Sequence, residues 1–106
     1  MFPAQGIGTK TGISFPIETV SVDTTLDDTH YTVKVDASGA NRTITLPTAV
    51  GIEETMYNIK KIDSSINTVT IDAYGAETID EDLNRVLDTQ HESITIQSDN
   101  ANWVIL

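Results

Sequence analysis

The side chains best suited to chemistry in this sequence are carboxylates, and Asp72, Glu77, Asp80, Glu81 and Asp82 crowd into one short stretch. Such a group could hold a cation or supply an acid and a base. An EF-hand loop needs oxygens at alternating positions around a central glycine, whereas Asp72 is followed by Ala73, Tyr74, Gly75 and Ala76. Asp80, Glu81 and Asp82 are consecutive, so in extended chain they point to alternate sides. Glycosidase chemistry needs two carboxyl groups about 5 to 9.5 Å apart. Among sixteen acidic residues some pair meets that distance by number alone, and one Trp, three Tyr and two Phe leave little for a sugar platform. The expectation is a hydrated rim with no metal and no catalytic role.

The other candidates for chemistry are isolated. His30 in "DDTHY" and His91 in "TQHES" have no Cys and no G-x-S-x-G elbow to accompany them. "GIGTKTG" at 6–12 resembles a phosphate loop, but such a loop needs a strand before it and a helix after it to aim amides at phosphate. Only five residues precede it. "NRT" at 41–43 is a glycosylation triplet without a visible secretory signal. No catalytic motif survives, so the chain is expected to be non-enzymatic and to need no cofactor.

Composition narrows the class. A chain of 106 residues is one domain. Its apolar share is dominated by Ile and Val and its polar share by Thr, β-branched types that suit a pleated surface. Net charge -10 opposes binding to nucleic acid or to an anionic membrane, since both rely on basic residues and only six are present. No apolar run reaches the length of a bilayer span. With no cysteine, stability must come from packing and association.

These residues must be positioned by strands. Alternation with period two aligns Val20 with Val22, Tyr31 with Val33 and Val35, Ile44 with Leu46, Val69 with Ile71, and Ile94 with Ile96. Turn clusters, "DASGAN", "DSSIN", "AYGAE" and "SDNAN", separate them and predict a series of antiparallel hairpins. No internal repeat is legible, and "DEDLNRVL" has the length of one helical turn at most. Residues 1–15 carry Phe2, Ile7, Ile13 and Phe15 without periodicity and read as an extended docking arm. Residues 16–106 form the β domain. Its end, Trp103, Val104, Ile105 and Leu106, is apolar and reads as buried in the sheet or against another subunit.

The phrases "YTVKVDASGANRTITLP", "YNIKKIDSSINTVTIDAYGAETID" and "ESITIQSDNANWVIL" together resemble a β-module of tailed-bacteriophage structural proteins, found in head fibres, capsid decoration proteins, tail fibres and tailspikes. The resemblance covers residues from about 23 to 106. It implies an all-β, antiparallel β-sandwich or jelly-roll-like domain, assembled as a homotrimer, with a structural or adhesive role. The sequence shows no collagen-like repeat, coiled coil or catalytic β-helix. The expectation is therefore a capsid decoration or head-fibre protein of the virion, assembled in the host cytoplasm. It would dock on the major capsid protein or another virion protein through Phe2, Ile7, Ile13 and Phe15, and trimerise through Trp103 to Leu106. The alternative is a tail-fibre or tailspike module that binds a host receptor or glycan through Trp103, Tyr31, Tyr57 or Tyr74.

Overall fold

The computed structural model describes residues 12–106, which hold nine strands and no helix. They are β1 (Ile17–Val20), β2 (Thr24–Thr25), β3 (Thr32–Val35), β4 (Arg42–Thr45), β5 (Met56–Lys61), β6 (Val69–Asp72), β7 (Asn84–Leu87), β8 (Ser93–Ser98) and β9 (Trp103–Ile105). Two sheets result, a five-stranded one in the order β1-β3-β5-β8-β9 and a four-stranded one in the order β2-β4-β6-β7.

The first six strands alternate between the sheets. β1, β3 and β5 pair in parallel in one sheet, and β2, β4 and β6 pair in parallel in the other. The chain thus winds through three coils, β1–β2, β3–β4 and β5–β6, each adding one strand to both sheets. Antiparallel strands finish the structure: β7 on β6, β8 on β5, and β9 on β8.

The fold is all-β, as the composition requires, but the antiparallel hairpin series is corrected to two mixed sheets. Period-two alternation reports which face of a strand is buried and is blind to the strand's neighbour. The clusters at 36–41 and 62–68 carry the chain across to the other sheet, where a hairpin turn would have folded it back. The only tight hairpin among the described strands is β8–β9, through Asp99 to Asn102. The coils are also a structural repeat that the sequence does not display, because their connections differ in length. "DEDLNRVL" holds strand β7, whose Leu87 faces the core beside Val69. Strand β1 ends at Val20, so Val22 lies beyond it and is exposed.

Inward residues stack from coil to coil. Val33 is in register with Ile59, and Ile44 with Ile71. Ile96, Tyr57 and Trp103 join the same core from the five-stranded sheet, and Leu46 and Val69 from the side of the four-stranded one. Each such side chain contributes about 1.5–3 kcal/mol by leaving water. The Tyr57 and Trp103 rings lie 5.6 Å apart and tilted, and the Tyr57 hydroxyl donates to the Asp27 carbonyl at 3.0 Å.

Polar side chains tie each coil to the next. Just before β2, Asp23 accepts the Thr43 amide, and just before β4, Asn41 accepts the Thr68 amide, both at 2.9 Å. In each case the acceptor meets the amide of its register partner in the following coil. The side chain replaces a ladder bond where the chain turns between sheets.

Candidate functional site

Asp72 ends β6 and the rest of the acidic stretch sits in the connection from β6 to β7, where Glu77, Asp80 and Asp82 hold that connection in place. Glu77 accepts from the Thr48 hydroxyl and from the Ala49 amide at 2.8 Å, tying the third coil to the second. Asp80 and Glu81 occupy the left-handed region, with φ of 46° and 75°, in a tight turn closed by the Ile79–Asp82 bridge. The Asp80 amide donates to the Trp103 carbonyl, and its carboxylate accepts the Ile105 amide at 3.1 Å, so the turn covers the outer edge of β9. Asp82 pairs with Arg85 at 3.1 Å. A shallow depression of about 300 Å³ lies beside this turn, lined by Thr78, Asp80, Glu81, Asp99, Asn102 and the Trp103–Val104 segment. Among the described residues no group of three or more His, Cys, Asp or Glu side chains could hold a metal ion.

The histidines are far apart in role. His30 accepts the Asp27 amide at Nδ1, and its Nε2 lies 3.7 Å from Glu18, so it closes the loop from β2 to β3. His91 sits in a turn with φ of 71° and donates its amide to the Lys61 carbonyl. Among the described residues neither is bonded to a nucleophile. The carboxyl groups of Asp27, Asp36 and Asp99 all lie below their ordinary value because they accept local hydrogen bonds, foremost from Thr29, Ser38 and Asn102 respectively. These are turn-capping bonds. The Tyr57 hydroxyl is pushed up by burial and by the negative charges of Asp27 and Asp28.

Among the described residues the one deeply set charge pair is Lys61 with Asp63. Lys61 lies at the inward end of β5 with no exposed surface. Its ammonium donates to the Asp63 carboxylate at 2.8 Å and to the carbonyls of Asp63 and Ser65 at 2.9 and 3.0 Å, so all three protons are used. Asp63 also accepts the Ala37 amide at 2.7 Å and both the amide and hydroxyl of Ser65. Burial alone would raise its carboxyl group; the bonds from Lys61, Ser65 and Ala37 outweigh it and hold the group far below the carboxylate range. Asn67 adds a bond to the Ala37 carbonyl at 2.8 Å. With the carboxylate ionised and every ammonium proton taken, the pair is poor material for acid–base chemistry. It is a clasp between the second and third coils.

The residues expected to dock fall differently. Phe2 and Ile7, with "GIGTKT", lie outside the described residues. Ile13 and Phe15 are exposed at 63% and 48%, and Phe15 stacks on Tyr31 with ring centroids 4.5 Å apart. Two further exposed apolar residues join them in the first coil, Ile17 at 63% and Val22 at 59%. Alternation in the sequence places Val22 on a strand face with Val20 and gives no sign that Ile17 is exposed. Among the described residues β1 pairs only with β3 and β2 only with β4, so each stands at the end of its sheet there.

Of the four terminal residues expected at a subunit interface, Trp103 packs wholly inside the chain's own core; Val104 and Ile105 are half-buried, and Leu106 is exposed. The four aromatics considered for a glycan are not brought together as a surface. Trp103 and Tyr57 are buried, Tyr31 lies under Phe15, and Tyr74 is exposed in the acidic connection. Comparison with family models, with curated proteins and with solved structures finds no match.

Proposed function

We propose that the chain is a non-enzymatic structural protein of a tailed-phage virion, a capsid decoration or head-fibre protein that assembles as a homotrimer and docks through the end bearing its first coil. The observation that carries this reading is the open end itself. Two strand edges and four exposed apolar side chains, Ile13, Phe15, Ile17 and Val22, share it. Free edges invite pairing with another chain unless charge, proline or a covering segment blunts them, and strand addition to such an edge is a common mode of docking. Glu77, Asp80 and Asp82 support the same reading, since their carboxylates are taken up in turns and ties.

The test is co-sedimentation with capsids of the phage that carries the protein. Wild type is expected to pellet with them; an Ile17→Asp/Val22→Asp variant is expected to keep the wild-type melting profile and remain in the supernatant. A wild type that never pellets with capsids overturns the reading. In that case a glycan array on the same protein decides for the tail-module alternative.

A further inference from the structure

The outward faces of the two sheets carry opposite charge. On the five-stranded sheet the row Thr19, Lys34, Lys60, Ser93 runs across four strands, with Lys34 and Lys60 as direct register partners. Adjacent strands lie about 4.8 Å apart, and like charges opposite each other are destabilising. Neither ammonium has an ion pair or hydrogen bond within the described chain. In the neighbouring row Asn58 bonds the Thr32 hydroxyl at 3.1 Å and accepts the Thr95 hydroxyl at 2.8 Å, so its polar groups satisfy one another. No outward strand position on this sheet is a carboxylate. The face is thus locally cationic on a chain of net charge -10.

The four-stranded sheet offers the complement. Its outward row is Thr25, Thr45, Asp72, Asn84, beside Thr43 and Thr70. Asp72 is half-buried, and its carboxylate makes no ion pair or hydrogen bond within the described chain. Short side chains keep the surface flat, as stacking of sheets at about 10 Å requires.

We infer that these two faces are the halves of a contact between copies of this chain, in which Lys34 and Lys60 of one copy receive Asp72 of the next. This deepens the proposed self-assembly and rests on it. Charge complementarity selects the partner: a lysine face against its own like is repulsive, and a polyanion is repelled at long range by the rest of the molecule. Because two different faces on opposite sides of the core meet, the contact is head to tail: it stacks copies in an open row unless the two faces are inclined enough for the rotation to close a ring such as the proposed trimer.

The experiment is light scattering coupled to size-exclusion chromatography on wild type, Lys34→Glu/Lys60→Glu, Asp72→Lys, and the triple variant that swaps the charges of both faces. Wild type is expected at a multiple of 11.5 kDa. The first two variants should run as monomers, with a dissociation constant raised roughly 100-fold or more. The triple variant should regain the wild-type mass, which misfolding cannot produce. A wild-type multimer whose mass survives the double and single variants, or a triple variant that stays dissociated, overturns this contact and leaves self-assembly standing. A monomeric wild type overturns both. A monomer retarded by dextran sulfate only while Lys34 and Lys60 are intact overturns the contact in favour of a polyanion.

Discussion

The first and third coils follow one plan and are secured by different means. At the third, β7 and β8 close both sheets with antiparallel strands, Lys61 and Asp63 clasp it to the second coil, and Glu77 reaches the same neighbour from the other side. The first coil has the Asp23 bond and the Tyr57 bond to Asp27, a two-residue β2, and apolar side chains facing water. Terminal units of repetitive folds need a cap to stay soluble. Here the third coil is followed by β7 to β9 of the same chain, whereas β1 and β2 stand at the ends of their sheets among the described residues.

That contrast can be broken first at the clasp. Asp63→Ala leaves the Lys61 ammonium buried without its counter-charge, and loss of one partner of a buried pair costs about 3–5 kcal/mol; urea denaturation should show it as a lower midpoint. The same pair sets an acid limit. The Asp63 carboxyl group lies below its ordinary 3.8 in the folded chain, so the unfolded chain binds more protons between the two values and stability rises with pH across that interval. Its contribution is therefore complete above the unfolded value and is lost as pH falls toward the folded one. Wild type should lose stability steeply below about pH 4, and Asp63→Ala should show a flatter slope there in acid-dependent melts.

Glu77→Ala leaves the Ala49 amide and the Thr48 hydroxyl without their acceptor, at a cost of about 1–3 kcal/mol, again read by denaturation. Asp23→Ala removes one neutral-donor hydrogen bond of the first coil and should cost about 0.5–1.5 kcal/mol. In hydrogen exchange its effect should be confined to β2 and the start of β4, whereas Glu77→Ala should raise exchange in the second and third coils together. Smallest of all, Ile17→Thr with Val22→Thr should change stability by less than about 0.5 kcal/mol, because both side chains are already in water. A large loss would show that these residues support the fold.

Much of this was legible in the sequence, and the limits have physical causes. The inward faces of β3, β4, β6 and β8 followed from alternation, because Val33, Val35, Ile44, Ile71, Ile94 and Ile96 are buried one residue in two. The parallel course was hidden, since a coil crossing between sheets and a hairpin turn draw on the same Asp, Ser, Gly and Asn. β7 was masked because its alternation is broken in the middle: Arg85 points inward with Leu87, bonding the Ile79 carbonyl, while Val86 is exposed. At the candidate sites, the sequence suggests a hydrated rim for the acidic stretch; the bonds of Glu77 and Asp80 to Thr48, Ala49 and Ile105 depend on long-range contacts that local sequence does not show. The clasp left one trace, a lysine at an inward position of the "YNIKK" alternation. The exposure of Ile17 left none, because an apolar residue in a strand reads as core until its neighbours are known.

The order of the five-stranded sheet has a mechanical consequence. The chain enters it at one edge, β1, and leaves it at the opposite edge, β9, so four strand-to-strand steps, roughly 19 Å, separate the two. A pull between the first strand and the last would act across the ladders in series, opening them one bond at a time. The shortest of them, three register pairs between β8 and β9, is reinforced on its far side by Thr78 and Asp80. The sheet is a short spacer whose final joint is braced against peeling.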